Sequence, residues 1–401
     1  MRPYRTWMRV WACGMVLVTA NCGIGDAPGG APGVSVTDSA GVRIVVEDRD
    51  GYEPSAIVER IWQHGLEPED YAFQFVLLGA LREDGSAVVG DMANQEVVSI
   101  GSSGMEHVVL ARRGQGPGEV AMPRSVVGAG GGEVWVEDFG NGKLLHFVGD
   151  SLVSEFDTKA IPAVSRGLMP VGVDVGARLL MVTAAYRPDF EEPWLFGTMA
   201  RFDVASRAVD TVGRYPHARR PDPGASNPFS ATGVIAGAGG GFVNAKTDEA
   251  QVAWSRADGA MTQIARWKQA PTYPTATTWT RFENSLRANL RRMNPQLSGE
   301  DLERFVDQQV SRYEVDASIP LPLFGQIHGA ADGAVRLSTF SPGNTWPMRY
   351  RVMSSSGEFL GSMSFPRPFH VLDVVDDLVL GMVLDDFDVQ AVALYRYRFG
   401  P

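Results

Sequence analysis

Two stretches of this chain repeat each other 47 residues apart, and no other feature constrains the fold as tightly. Residues 84–100 (DGSAVVGDMANQEVVSI) and 131–147 (GGEVWVEDFGNGKLLHF) each read as a glycine turn, a strand, an Asp-x-x-Asn loop and a second strand. Asp91 answers Asp138, and Asn94 answers Asn141. A second correspondence keeps nearly the same register, with EPED at 67–70 lying 49 residues before GPGE at 116–119. A unit of this length cannot bury its own apolar faces, so copies must stack against one another. Four short strands per unit make that stack a β-propeller.

Strand runs and turn signals continue to the C-terminus, with blades expected to begin near residues 75, 124, 167, 229, 323 and 370. The last blade has only three strands, ending on the alternating run 391–399 (AVALYRYRF). Two N-terminal runs are left over, Val42–Val46 and Ile57–Trp62. They are expected to complete the last blade, which removes an open sheet edge. The expected fold is therefore all-β, a six-bladed β-propeller of four-stranded blades over residues 41–401, closed by N-terminal strands. Seven blades result if those strands form a blade of their own. The 45 glycines and 25 prolines suit a chain with so many tight turns. One interruption has helical spacing instead. Thr278–Leu290 places Phe282, Leu286 and Leu290 on one face, and Ser298–Arg312 does the same with Leu302, Phe305, Val306 and Val310. Ser298 with Asp301 reads as a capping box, so a helical hairpin is inserted at about 277–314.

Residues 1–22 read as an export signal: Arg2, Arg5 and Arg9 precede the apolar stretch 10–20 (VWACGMVLVTA). That stretch is too short to cross a bilayer, which takes about 20 apolar residues. It ends in VTANC at 18–22, a bacterial lipobox pattern with Cys22 as the lipidated residue; cleavage after Ala20 would instead leave Cys22 as a thiol. Cys13 is the other of the two cysteines and would leave with the signal, so no free thiol would remain in an oxidising compartment. Residues 23–40 are rich in Gly, Pro, Ala and Ser and read as a flexible tether. The expected location is the bacterial cell envelope, with membrane attachment through the lipid alone. Acidic residues outnumber basic ones 47 to 36, which excludes a nucleic-acid partner held by phosphate neutralisation. The chain is expected to act as a monomer.

The segment Arg112, Arg113 and 114–119 (GQGPGE) resembles the G-x-G-P-G-E loop of the bacterial six-bladed β-propeller lipoprotein family related to NHL-repeat proteins. The tail is similar too, with PLP at 320–322, Asp332-Gly333, Ser356-Gly357 and YRY at 395–397. The resemblance spans roughly residues 40–400 and departs at Val120, where the family carries Phe. It implies a propeller and export, and no catalytic residues.

Strand order also predicts a functional face. Loops from strand two to three and from strand four to the next blade share one face, and the tight turns lie on the other. The long connections all fall on the first face: 112–123, 184–196, 214–228, 271–322, 341–347 and 384–388. Functional residues gather on loops held by a rigid scaffold. Candidate ligand contacts there are Arg112, Arg113, Glu119, Asp91, Asn94, Asp138, Asn141, Trp194 and Trp346, with Tyr186 and Tyr215 as further loop aromatics. Each has a plainer reading: glycine and proline shape the 114–119 loop, Asp and Asn form turns, and aromatics pack loops onto the body. No cofactor is expected, and Ca²⁺ is the one candidate ion, held by converging oxygens of Asp91, Asn94, Asp138 and Asn141, with Asp189, Glu191, Glu192, Asp385, Asp386 and Asp388 on the same face. No zinc motif joins His64, His107, His146, His217, His328 and His370, but His328 and His370 fall near inner strands and could line the channel as a pair. The GAGGG runs at 128–132 and 237–241 precede strands rather than helices, which excludes a dinucleotide loop. Arg281, Arg287, Arg291, Arg292, Arg304 and Arg312 make the hairpin arginine-rich, a solvated face or a dock for an acidic partner. The expected function is binding of a protein, peptide or glycan on the loop-rich face, and the alternative is a metal-dependent hydrolase or lyase at the channel mouth.

Overall fold

The computed structural model describes residues 33–48, 54–160, 167–183, 194–219, 227–294, 296–313, 317–342, 349–387 and 389–400. The signal segment, Cys22 and most of the tether lie outside these residues. Six sheets surround a central channel. The first strand of each blade is innermost: Val76–Leu81, Pro123–Gly130, Met169–Val173, Gly233–Ala238, Ile327–Gly329 and Phe369–Val375. These six strands pack against their neighbours in ring order, so the expected blade starts are borne out within a few residues.

Stacking blades side by side buries both faces of every sheet, and the strands lose the alternation of a half-exposed sheet. In Ala87–Asp91 every residue is buried. Apolar wedges fill the gaps between consecutive blades. Val88, Val97, Val134, Leu145 and Phe147 fill the gap between blades one and two. Tyr350, Phe369, Val379 and Ala393 fill that between five and six.

The N-terminal segment departs from the sequence expectation. Ile57–His64 completes the last blade, pairing antiparallel with Gln390–Arg398, as expected. Val42–Glu47 does not join it. This strand runs parallel to Met261–Trp267, the outer strand of blade four, and Val34–Ser39 folds back beside it. Blade four thus becomes a six-stranded sheet, and residues 34–39, read as the end of the tether, form its edge. Val45 explains the placement, because it is fully buried in the wedge between blades four and five. Between these strands, Pro54 and Ala56 bond the backbone of Ser362 in blade five. One segment therefore straps blades four, five and six from outside.

The helical insertion lies where expected, as α1 (Ala276–Met293) and α2 (Gly299–Val310). Thr275 caps the first helix in a capping box with Thr278, and Ser298 accepts the Asp301 N–H at the second. Phe282 and Leu302 are buried, whereas Phe305 remains 45% exposed. Periodicity marks a helix's apolar stripe but not how much of it the neighbouring surface covers. The hairpin sits on the loop-rich face, where Phe282, Trp279 and Leu286 pack on Phe229, Leu321 and Phe340.

Candidate functional site

The channel has two ends, built from different parts of the chain. At the loop-rich end a polar mouth of about 350 Å³ opens between blades four and five. Its walls are the lead-ins to two inner strands (Pro228, Ser230, Thr232; Pro322, Phe324, Gln326) and the loops at Thr247 and 338–341. Main-chain groups fix its hydroxyls: Thr232 N–H donates to Thr247 Oγ1 at 2.9 Å, and Gln326 N–H to Ser338 Oγ at 2.8 Å. Phe340 belongs both to the mouth and to the cluster that seats the helical hairpin. The lining contains Ser, Thr, Gln, Pro and aromatic side chains, and its single ionisable group is His370. Burial lowers the pKa of that imidazole to about 4, against the opposing pull of its bond to the Leu77 backbone, so it is neutral at pH 7.

At the short-turn end the inner strands enclose a cavity of about 250 Å³. Five of the six strands place glycine in its wall: Gly79, Gly128, Gly172, Gly237 and Gly329. Backbones approach so closely here that a Cβ on Gly329 would lie 2.2 Å from the Gly237 carbonyl oxygen. The sixth strand contributes Asp373, which is half-buried in the cavity wall. Its Oδ2 accepts the Leu81 N–H at 2.7 Å and its Oδ1 the Val374 N–H at 2.8 Å. Burial raises its pKa to about 6, outweighing those bonds and the Arg336 charge. His328 lines the same cavity, and burial with the nearby His370 and Arg336 lowers its pKa to about 3. Its Nε2 is buried without a hydrogen-bond partner. Arg336 stands opposite His328 on the next strand, is 1% exposed, and bonds the Tyr397 hydroxyl and the Asp376 carbonyl.

Among the described residues, the ligand contacts predicted on the loops line neither chamber. Asp91 is fully buried and receives the backbone N–H groups of Gln74, Phe75, Ala93 and Asn94, with the Asn94 side chain at 3.0 Å. Asp138 repeats the device on Ala121, Met122 and Gly140. Each carboxylate staples the lead-in of its own inner strand to the loop between strands two and three, so the recurring Asp-x-x-Asn is a joint of the blade. Asn141 Nδ2 donates to the Gly114 carbonyl at 2.8 Å. Glu119 turns back into its own loop, accepting the Gly116 N–H at 2.7 Å, and a Cβ on Gly114 would strike its carboxylate. Asp70 occupies the matching place one blade earlier, accepting N–H groups from Gly65, Leu66 and Glu67, which bears out the repeat register. Arg112 and Arg113 are exposed. Trp194 begins a strand, and Lys246 Nζ lies 5.2 Å from its ring centroid. Tyr215, expected on a loop, is 3% exposed and its hydroxyl donates to the Thr183 carbonyl. It lies in Ala208–Arg219, an outer strand that tolerates Pro216 at a bulge. Trp346, Tyr186, Asp189, Glu191, Glu192 and Asp388 lie outside the described residues. Among the described residues no three His, Cys, Asp or Glu side chains are grouped to hold a metal ion.

The sequence left open a channel-lining pair of His328 and His370. The structure puts them on neighbouring inner strands but at different chambers, His370 at the loop-rich mouth and His328 in the opposite cavity. Asp373 was missed. Its only signal is an acidic residue inside an otherwise apolar inner strand, three positions after a histidine.

No protein-family model matches the chain, and no curated protein matches it in sequence. Solved structures share the fold. A Bacteroides fragilis protein named as an exported protein is 10% identical, with a TM-score of 0.50 over 89% of this chain and 100% of its own. A member of the duf4221 family from Bacteroides vulgatus is 9% identical, with a TM-score of 0.51 over 87% and 99%. A gluconolactonase from Xanthomonas campestris is 10% identical, with a TM-score of 0.44 over 88% and 96%. The likeness is one of fold.

Proposed function

We propose that this chain is an exported binding protein of the bacterial cell envelope, held by a lipid on Cys22. Its ligand is an uncharged glycan or peptide segment taken at the loop-rich mouth. The observation that carries this reading is the composition of that mouth: fixed hydroxyls, an exposed amide at Gln326, and the aromatic walls Phe324 and Phe340, with no charged side chain in its lining. Sugars and peptide groups offer donors and acceptors to hydroxyls and an apolar face to aromatic rings. The long connections converge on the same end, and the Bacteroides fragilis protein of the same fold is itself named as exported. Titration calorimetry on the full chain tests the reading, with neutral oligosaccharides in one arm and uncharged peptides in the other. Phe340→Ala should weaken the bound class about tenfold, a loss of about 1.4 kcal/mol. Binding that Phe340→Ala leaves intact would place the ligand elsewhere. The anchor has its own test, since Cys22→Ala should move the protein from the membrane to the soluble fraction.

A further inference from the structure

The exposed aromatic rings gather at one end of the disc. Among the described residues Phe139, Tyr273, Phe305 and Phe387 are the large aromatics left exposed, and all four lie on connections of the loop-rich end. The short-turn end exposes Met105 and Val175 and none of these rings. We propose that the loop-rich end docks on a lipid bilayer, through an apolar patch over blades six, one and two that enters the boundary between headgroups and acyl chains.

Strand order brings the patch together. Phe139 lies in the loop between strands two and three of blade two, and Phe387 in the same loop of blade six, so both stand at one end. Met122 leads into the inner strand of blade two, and its carbonyl accepts the Phe139 N–H at 2.9 Å. Leu66 follows the closing strand of blade six, and its neighbour Gly65 packs against the Gln390–Ala391 backbone, beside Val389. These five side chains are 41–87% exposed. Their loops are held in place. One Asp385 oxygen accepts the Phe387 and Val389 N–H groups, each at 2.8 Å, and the Arg124 guanidinium lies 4.4 Å from the centre of the Phe139 ring. Apolar side chains scattered singly need no explanation, whereas a group gathered at one end and rimmed by charges marks an interaction surface.

Two observations make the partner a bilayer. The chain enters the fold at this end, since the Gly33 carbonyl accepts the Asp48 N–H and Glu47 pairs with Trp267, where blade four gives way to the helices. This step rests on the proposed lipid at Cys22, which holds that end beside the membrane. The charges around the patch are of both signs, Arg112, Arg113 and Arg367 against Glu67, Glu69 and Asp386, so a strongly charged partner gains little. Rings and aliphatic side chains on a polar rim suit the membrane interface instead. The mouth lies between blades four and five, across the channel, and stays clear when the disc tips onto blades six, one and two.

Flotation with phosphatidylcholine vesicles tests the proposal. Exported Cys22→Ala protein, which carries no lipid of its own, should float in part at millimolar lipid, and equally at high and low salt. Phe139→Ser combined with Phe387→Ser should lower its partition about tenfold, whereas Val175→Ser at the opposite end should change nothing. All three side chains are exposed, so their loss leaves the blades intact. The unaltered protein reports separately on the anchor. Equal flotation of the unaltered and Cys22→Ala proteins, lost from both with the two rings, would discard the lipid and still support the docking face. No flotation of the Cys22→Ala protein, flotation that survives the double substitution, an equal loss from Val175→Ser, or binding abolished by high salt would each overturn the proposal.

Discussion

The two ends of the channel differ in where their residues come from. The loop-rich mouth is made by what the chain adds between strands: lead-ins, loops and a helical hairpin. The opposite cavity is made by the inner strands themselves, whose glycines leave the room and whose sixth member supplies the carboxylate. The first is neutral and hydroxyl-bearing, the second ionisable and narrow. A propeller can vary its connections without disturbing the wedges between blades. It cannot vary an inner strand without altering the ring, so chemistry placed there is coupled to stability.

That coupling is most directly broken at the glycines. Gly329→Val should destabilise the protein by about 3 kcal/mol or more, because the new side chain meets the Gly237 backbone and no flexible group can yield. Urea unfolding measures it, and a loss below 1 kcal/mol would mean the ring is looser than described. Asp138→Ala comes next, at about 2–4 kcal/mol, since three backbone N–H groups lose a fully buried carboxylate acceptor. It should leave glycan or peptide affinity within about twofold, which separates the blade's joint from its mouth.

Acid should expose the two ends together. His328 and His370 have folded pKa values of about 3 and 4, below the ordinary 6.5. A lowered folded pKa gives stability that is present above pH 6.5 and lost as pH falls toward those values. Asp373 works the other way. Its folded pKa of about 6 lies above 3.8, so its contribution is present below 3.8 and lost as pH rises through 6. Two histidines outweigh one aspartate, so the midpoint should drop several degrees between pH 7 and pH 5. His370→Gln and His328→Gln should each remove part of that drop, and a flat profile in the unaltered protein would contradict the burial of both rings. The smallest effect is expected from metal. Ca²⁺ against a chelator should change the midpoint by less than about 1 °C, because backbone donors already occupy the Asp91 and Asp138 oxygens.

The ring was legible because its signals are local and recur: a glycine turn, an Asp-x-x-Asn loop and GPGE answering EPED. The closing strand at 57–64 followed from counting strands in the last blade. The attachment of Val42–Glu47 to blade four did not, since an alternating strand records which face is buried and not which edge it will pair with. The sites divide in the same way. Asp91, Asp138 and Glu119 drew attention because they recur, and recurrence in a propeller marks what every blade needs. Asp373 occurs once, on one inner strand, so no repeat marks it.

The N-terminal hairpin bears on which way the disc faces. Val34 pairs with Glu47, and Glu47 with Trp267, the last residue before the chain leaves blade four for the helices. The chain therefore enters the fold at the rim of its own loop-rich face. Residues 23–33 can reach about 40 Å at full stretch. A protein suspended by a lipid at Cys22 would therefore be leashed at the rim of its loop-rich face, with that rim held within about 40 Å of the bilayer. The leash would then keep the hydroxyl-lined mouth and the helical hairpin on the attached side of the disc, a strand length nearer to the anchor than the glycine-walled cavity.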